Sequence, residues 1–232
     1  MSLLGLRVGR ALGLDHSFDS EQRRMVETAF TFTSSNRIPG DYLEFGVFRG
    51  RTFVNAWRAA QRRNQRAMHF YAFDSFSGLP DPDLSPADKD GAFFKGQFSS
   101  DRSAFERNME RSGVDPDSVT VVEGFYDESL REASHADLGL QAAAIVWIDC
   151  DLYMSTVLAL DYVTDLLTDG SLLVFDDWHC FGSRPDRGEQ MACAEWLERN
   201  PAIRLAHYRD FHWAGRSFVV HFEGSGELPD HG

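Results

Sequence analysis

Short apolar runs alternate along the chain with stretches whose apolar positions recur every three or four residues, the pattern of a parallel sheet with helices on its faces. Strands are expected at residues 42–45, 69–73, 119–123, 144–148 and 172–175. The last of these, Leu172-Leu-Val-Phe175, has no polar alternation, as a strand covered on both faces requires. A first helix is expected from about Ser20, with Met25, Ala29 and Phe32 at helical spacing, and a second over 51–63, with Phe53, Val54, Trp57 and Ala60 on one face. Further helices are expected over 100–112, 155–167 and 189–199, the second of them closed by Asp169-Gly170 and the third ending before Pro201. Residues 203–207 and 217–222, separated by Ala214-Gly215, fit an antiparallel edge pair. Residues 75–99 are rich in Gly, Pro, Asp and Ser yet carry Phe76, Leu79, Phe93, Phe94 and Phe98. This reads as a long loop with apolar anchors, and loops of that length commonly serve a site.

Length and charge narrow the picture. A chain of 232 residues suits one α/β domain with a full core. Its net charge of −13 disfavours a nucleic-acid or anionic-membrane partner. The best uncharged apolar run, residues 142–148, falls far short of the roughly 20 residues needed to span a bilayer. Arg7 and Arg10 interrupt the apolar N-terminal stretch, so no signal peptide is expected. Cys150, Cys180 and Cys193 form no CxxC pair, which suggests neither a disulfide framework nor a zinc site and fits a reducing, cytoplasmic setting.

Between the first strand and its helix lies Glu44-Phe-Gly46-Val-Phe-Arg-Gly50, an ExGxxxG pattern. Side-chain-free positions there either serve a tight turn or let a ligand approach the backbone and the helix N-terminus. Asp74 ends the second strand at roughly the 20-residue offset where an acid takes ribose hydroxyls, so a nucleoside-bearing cofactor is expected at these strand ends. ExGxxxG is the form seen in methyltransferases that bind S-adenosylmethionine, whose sulfonium and ammonium favour acidic surroundings. Strands four and five end in Asp149-Cys-Asp151 and Asp176-Asp177. Neighbouring parallel strands lie about 4.8 Å apart. The acids therefore crowd together, and Mg²⁺, which prefers hard oxygen ligands, resolves their repulsion. Asp151 reads more readily as a cap for the following helix, and His179 as incidental beside the acids.

Four blocks carry a resemblance to a known family: residues 40–50, residues 73–80 (Phe-Asp-Ser-Phe-Ser-Gly-Leu-Pro), residues 148–156 (Ile-Asp-Cys-Asp-Leu-Tyr-Met-Ser-Thr) and Phe175-Asp-Asp-Trp178. In order and spacing they resemble the metal-dependent macrocin and mycinamicin type sugar O-methyltransferases of antibiotic biosynthesis. The resemblance implies a Rossmann-like class I methyltransferase fold with a seven-stranded, mostly parallel sheet. Residues 1–39 would form an N-terminal helical cover, and residues 40–232 the catalytic domain. It further implies cofactor contacts from Glu44, Gly46, Gly50, Thr52, Asp74, Ser75, Glu123, Gly124 and Asp149. Mg²⁺ would be held by Asp149, Asp176 and Asp177, with Asp149 also the candidate base. The expected reaction is Mg²⁺-assisted O-methylation of a vicinal diol on a sugar or other small molecule, carried out by a homo-oligomer. Two readings compete: a glycosyltransferase using Asp149-Cys-Asp151 as a DxD metal site, and a non-catalytic module binding a partner through Phe93, Phe94 and Trp213.

Overall fold

Alternation within the strands sorts the core into two layers. Tyr42 of β1 (Asp41–Phe45) packs on one face of the sheet, and Leu43 and Phe45 on the other. β2 (Phe70–Asp74) and β4 (Ala143–Ile148) divide in the same way: Phe70, Ala72, Ile145 and Trp147 lie on the first face, Tyr71, Phe73, Val146 and Ile148 on the second. The computed structural model describes residues 16–89 and 91–224. Its sheet has seven strands in the order β3-β2-β1-β4-β5-β7-β6, completed by β3 (Val119–Glu123), β5 (Leu167–Phe175), β6 (Ile203–Phe211) and β7 (Gly215–Phe222). The first five strands are parallel and β7 runs antiparallel to both β5 and β6. The expected edge pair forms, with β7 inserted between β5 and the outermost β6.

On the first face lie α1 (His16–Asn36), α2 (Arg51–Arg62) and α3 (Arg102–Arg111), which bury Met25, Phe30, Phe53 and Phe105 against the strands. The second face is covered by α4 (Tyr126–Glu132), α6 (Tyr153–Val163) and α7 (Gly188–Arg199), through Leu130, Leu160 and Trp196. A one-turn α5 (His135–Leu138), capped by Ser134, precedes β4. The sequence pattern gives no helix there, because four residues are too few to show a period.

Two boundaries differ from expectation for identifiable reasons. The helix expected to reach residue 167 ends at Val163 and continues as a 3-10 turn over Thr164–Leu166, after which β5 begins at Leu167. The Asp169-Gly170 pair, expected to close the helix, sits inside that strand. Gly170 has φ +92°, and a Cβ there would fall 2.4 Å from Ile38. Its role is an irregularity in the strand, which matches the register shift between Ala143 and Ile145 on β4.

Among its described residues the long 75–99 loop has one 3-10 turn, Pro82–Leu84, yet it is pinned. Phe93 packs against Phe181 at 5.2 Å in a small cluster of its own with Leu79 and Leu152. Asp88 accepts from the amides of Tyr153 (2.6 Å) and Met154 (3.4 Å), so the loop supplies the cap that α6 lacks from its own N-cap residue, Leu152. Asp151, expected as that cap, adopts φ +66° instead and its side chain is buried.

No helix among the described residues is long and apolar enough to cross a membrane. The segment relevant to a signal peptide lies outside the described residues.

Candidate active site

A cavity of about 620 Å³ opens at the carboxyl ends of β1, β2 and β4 under the 75–99 loop. Of the nine residues expected to meet a cofactor, seven line it: Glu44, Gly46, Thr52, Asp74, Ser75, Gly124 and Asp149. Two do not. Glu123 is exposed and paired with Arg102 at 3.1 Å. Gly50 lies beneath the Phe105 ring, where a Cβ would come within 2.7 Å.

The glycines owe their identity to the chain itself. Gly46 has φ +89°, and a Cβ on it would lie 1.9 Å from the carbonyl oxygen of Asp149. The tips of β1 and β4 therefore touch, with the Asp149 amide donating to the Phe45 carbonyl at 2.8 Å. Asp74 is held from both sides: one oxygen accepts from the Phe48 amide at 2.8 Å and the other from the Phe76 amide at 2.7 Å. These bonds, with a further one from the Val47 amide, tie the glycine loop to the β2 tip.

The acids beneath the cavity follow from strand register. Ile148 stands opposite Phe175, so Asp149 and Asp176 leave adjacent parallel strands side by side. Ligand atoms of Asp149, Asp176 and Asp177 all lie within 4.8 Å of one another. The octahedron of Mg²⁺, with bonds of about 2.1 Å, places opposite oxygens about 4.2 Å apart. Neighbouring oxygens of that octahedron lie about 3 Å apart, so three hard carboxylates already within 4.8 Å of one another suit such an ion in kind and close in on it when it binds. Asp151 faces the cavity but stays outside this cluster, and His179 turns to Ser183 Oγ at 2.8 Å. The half of a DxD site that Asp151 would supply is therefore absent from the cluster.

Three residues behind the acids were not found from sequence. Gln22 of α1, buried, donates to Asp176 Oδ1 at 3.1 Å. His212, in the β6–β7 turn, reaches the same oxygen through Nε2 at 3.3 Å, and its Nδ1 accepts from the amides of Ala214 (3.1 Å) and Gly215 (3.2 Å). Two amide donors at Nδ1 place the ring proton on Nε2, so the imidazole donates to Asp176. Glu189, at the start of α7, accepts from the Asp177 amide at 3.0 Å. Burial first, then the neighbouring Asp177, Asp176 and Asp149 charges, push its carboxyl well above the usual range. Glu44 is also pushed well above that range, first by burial, while the Tyr42 hydroxyl donates to it at 2.5 Å and opposes the shift.

Fold and site together define a class I methyltransferase-like α/β protein with an acidic cluster beside its cofactor-type cavity. Residues 18–186 match the macrocin-O-methyltransferase (TylF) family, and the chain belongs to that family. A tetracenomycin sugar 4'-O-methyltransferase of Streptomyces olivaceus, whose substrate is 8-demethyl-8-(2,3-dimethoxy-alpha-L-rhamnosyl)-tetracenomycin C, is 28% identical over 145 residues. The match covers 61% of this chain and 54% of that protein. The mycinamicin III 3''-O-methyltransferase of Micromonospora griseorubida is 26% identical over 147 residues, covering 61% and 56%. The chain thus spans about half the length of the curated relatives it matches. Among solved structures, the O-methyltransferase NovP superposes with a TM-score of 0.73 at 20% identity, covering 86% of this chain and 79% of NovP. The calicheamicin methyltransferase CalS11 gives 0.64 at 21%, covering 85% and 77%.

Proposed function

We propose that this protein is an S-adenosylmethionine-dependent, Mg²⁺-assisted O-methyltransferase acting on a vicinal diol of a sugar or another small hydroxylated metabolite. One observation carries the reading: Asp149 belongs both to the wall of the cavity and to the three-carboxylate cluster. Glu44, Gly46, Thr52, Asp74, Ser75 and Gly124 would hold the methyl donor, whose cationic end suits the acidic lining. Methyl transfer is an in-line displacement, so rigid placement of donor and acceptor supplies much of the rate. A bound Mg²⁺ would lower the cost of charge developing on the acceptor hydroxyl. Asp149 takes the hydroxyl proton at a carboxylate oxygen facing the cavity. Gln22 and His212 fix the Asp176 carboxylate by donating to Oδ1.

Residues 1–39 are assigned as a cover and residues 40–232 as the catalytic domain; the bond from Gln22 to Asp176 supports a role for α1 at the site. A homo-oligomer, to be checked by light scattering, and a cytoplasmic setting complete the reading, the latter supported by three buried cysteine thiols.

The test is calorimetry with S-adenosylmethionine beside turnover measured on candidate diols. Asp176→Ala and Asp177→Ala should retain cofactor binding and lose turnover. Undiminished turnover in excess chelator would remove the metal from the reading, and absence of cofactor binding would remove the activity.

A further inference from the structure

A second concavity, about 570 Å³, lies between the start of α2 and the length of α3, from Asp101 before its first residue to Arg111 at its last. Arg49, Arg51, Arg107 and Arg111 line it, against a single acid, Asp101. Four guanidiniums around one groove are unexpected on a chain of net charge −13, because like charges at close range repel unless an anion sits among them. Only Arg51 has a carboxylate partner among the described residues, Asp19 at 2.5 Å. Arg49 lies over the Phe48 ring at 5.1 Å, and Arg107 donates to Ser103 Oγ of its own helix at 2.9 Å.

Two further features lie at the same groove. Ser100 is only 7% exposed, and its hydroxyl is buried without a hydrogen-bond partner. An unsatisfied buried hydroxyl is costly, and a ligand oxygen would relieve it. In addition, Asp101 is the N-cap of the ten-residue α3 but makes no side-chain hydrogen bond to the first amides of that helix. The positive end of the helix dipole thus lacks a side-chain cap at one end of the groove.

A phosphoryl group matches this donor set. Its several oxygens accept from guanidinium forks, a hydroxyl and helix amides approaching from different directions, whereas a carboxylate offers one planar edge. The groove shares Arg49 and Arg51 with the main cavity, which makes the two sites neighbours. We propose that the arginine groove is a phosphoryl subsite and that the phosphoryl group belongs to the acceptor, a sugar phosphate or nucleoside diphosphate sugar. The acceptor assignment rests on the methyl-transfer reading above; the phosphoryl site does not.

Calorimetry with inorganic pyrophosphate, on protein saturated with S-adenosylhomocysteine, tests the site. Binding should weaken at least tenfold in the Arg107→Ala/Arg111→Ala protein while affinity for S-adenosylhomocysteine is unchanged. Arg111→Lys, a milder change, should give a smaller loss and serves if the double variant fails to fold. No binding of pyrophosphate, equal binding by the variants, or displacement of pyrophosphate by S-adenosylhomocysteine would each overturn the site. The acceptor is tested by methyl transfer to a panel of nucleoside diphosphate hexoses and the same free hexoses. Transfer to the nucleotide forms that falls in the double variant supports the assignment. Transfer to free hexoses alone, unchanged in the variant, overturns it and leaves free phosphate as the ligand. If S-adenosylhomocysteine does not bind but pyrophosphate does, the methyl-transfer reading and the acceptor assignment fall and the phosphoryl site stands.

Discussion

At the scale of single residues, the site depends on positions that tolerate no alternative. Gly46 combines φ +89° with the carbonyl of Asp149 at 1.9 Å from where a Cβ would sit. Gly46→Ala should therefore force β1 and β4 apart, lowering stability by about 3 kcal/mol or more in chemical denaturation. A loss under about 1 kcal/mol would mean that the two strand tips can separate freely. His212 presents a different case, because it acts through Asp176. His212→Ala should weaken Mg²⁺ affinity by about 10- to 100-fold, as loss of a partner behind a ligand does, with Gln22→Ala in the same direction. Mg²⁺ titration of the folded variants checks this, and an unchanged affinity would show that Asp176 needs no orientation. Asp149, Asp176 and Asp177 were legible in the sequence because adjacent strand tips follow from the topology of a parallel sheet. Gln22 and His212 were not, since they reach Asp176 across 154 and 36 residues and sit in no local pattern. Glu189 carried no signal beyond being an acid at a helix start.

Among the elements, the parallel strands and long helices were readable from their periods, whereas the ends of elements were set by contacts that period does not encode. The N-terminus of α6 shows why. Its amides are satisfied by Asp88, 65 residues upstream in the 75–99 loop, and not by the neighbouring Asp151 that propensity favours. One carboxylate thus does two jobs, stabilising α6 and fastening the loop over the cavity. The carbonyl of Pro86, close to it, accepts from Arg187, just before α7, and gives the loop a second anchor. Asp88→Ala should cost about 1–2 kcal/mol, within the range for loss of a helix cap. The larger effect is expected locally. Amide exchange in residues 80–98 should accelerate well beyond the change in global stability, because the loop contains little regular structure to hold it once released. Hydrogen exchange read by mass spectrometry distinguishes the cases, and equal acceleration throughout the chain would show that the loop opens only by global unfolding.

For the whole molecule, the decisive property is the concentration of acid at one end of the sheet. Burial, in each case the first cause, raises the carboxyls of Glu44, Asp74 and Glu189. The charges of Asp149 and Asp176 raise Glu44 and Glu189 further. Each folded pKa lies above its ordinary value of 3.8 or 4.5, so over that interval the native state holds more protons than the unfolded chain. Unfolding free energy carried by these groups is then full below about pH 4 and falls as pH rises through the folded values. Urea midpoints of the metal-free protein should decline between pH 5 and pH 8, and Glu44→Gln/Glu189→Gln should flatten that decline relative to the parent. A cation at the strand tips favours the ionised acids, so Mg²⁺ should raise the midpoint more at pH 8 than at pH 5. Parallel profiles for parent and variant would show that Tyr42 and the Asp177 amide already relieve the two carboxyls. A Mg²⁺ effect equal at both pH values would mean that the ion binds away from the cluster, and the architecture would then hold its acids together by packing alone.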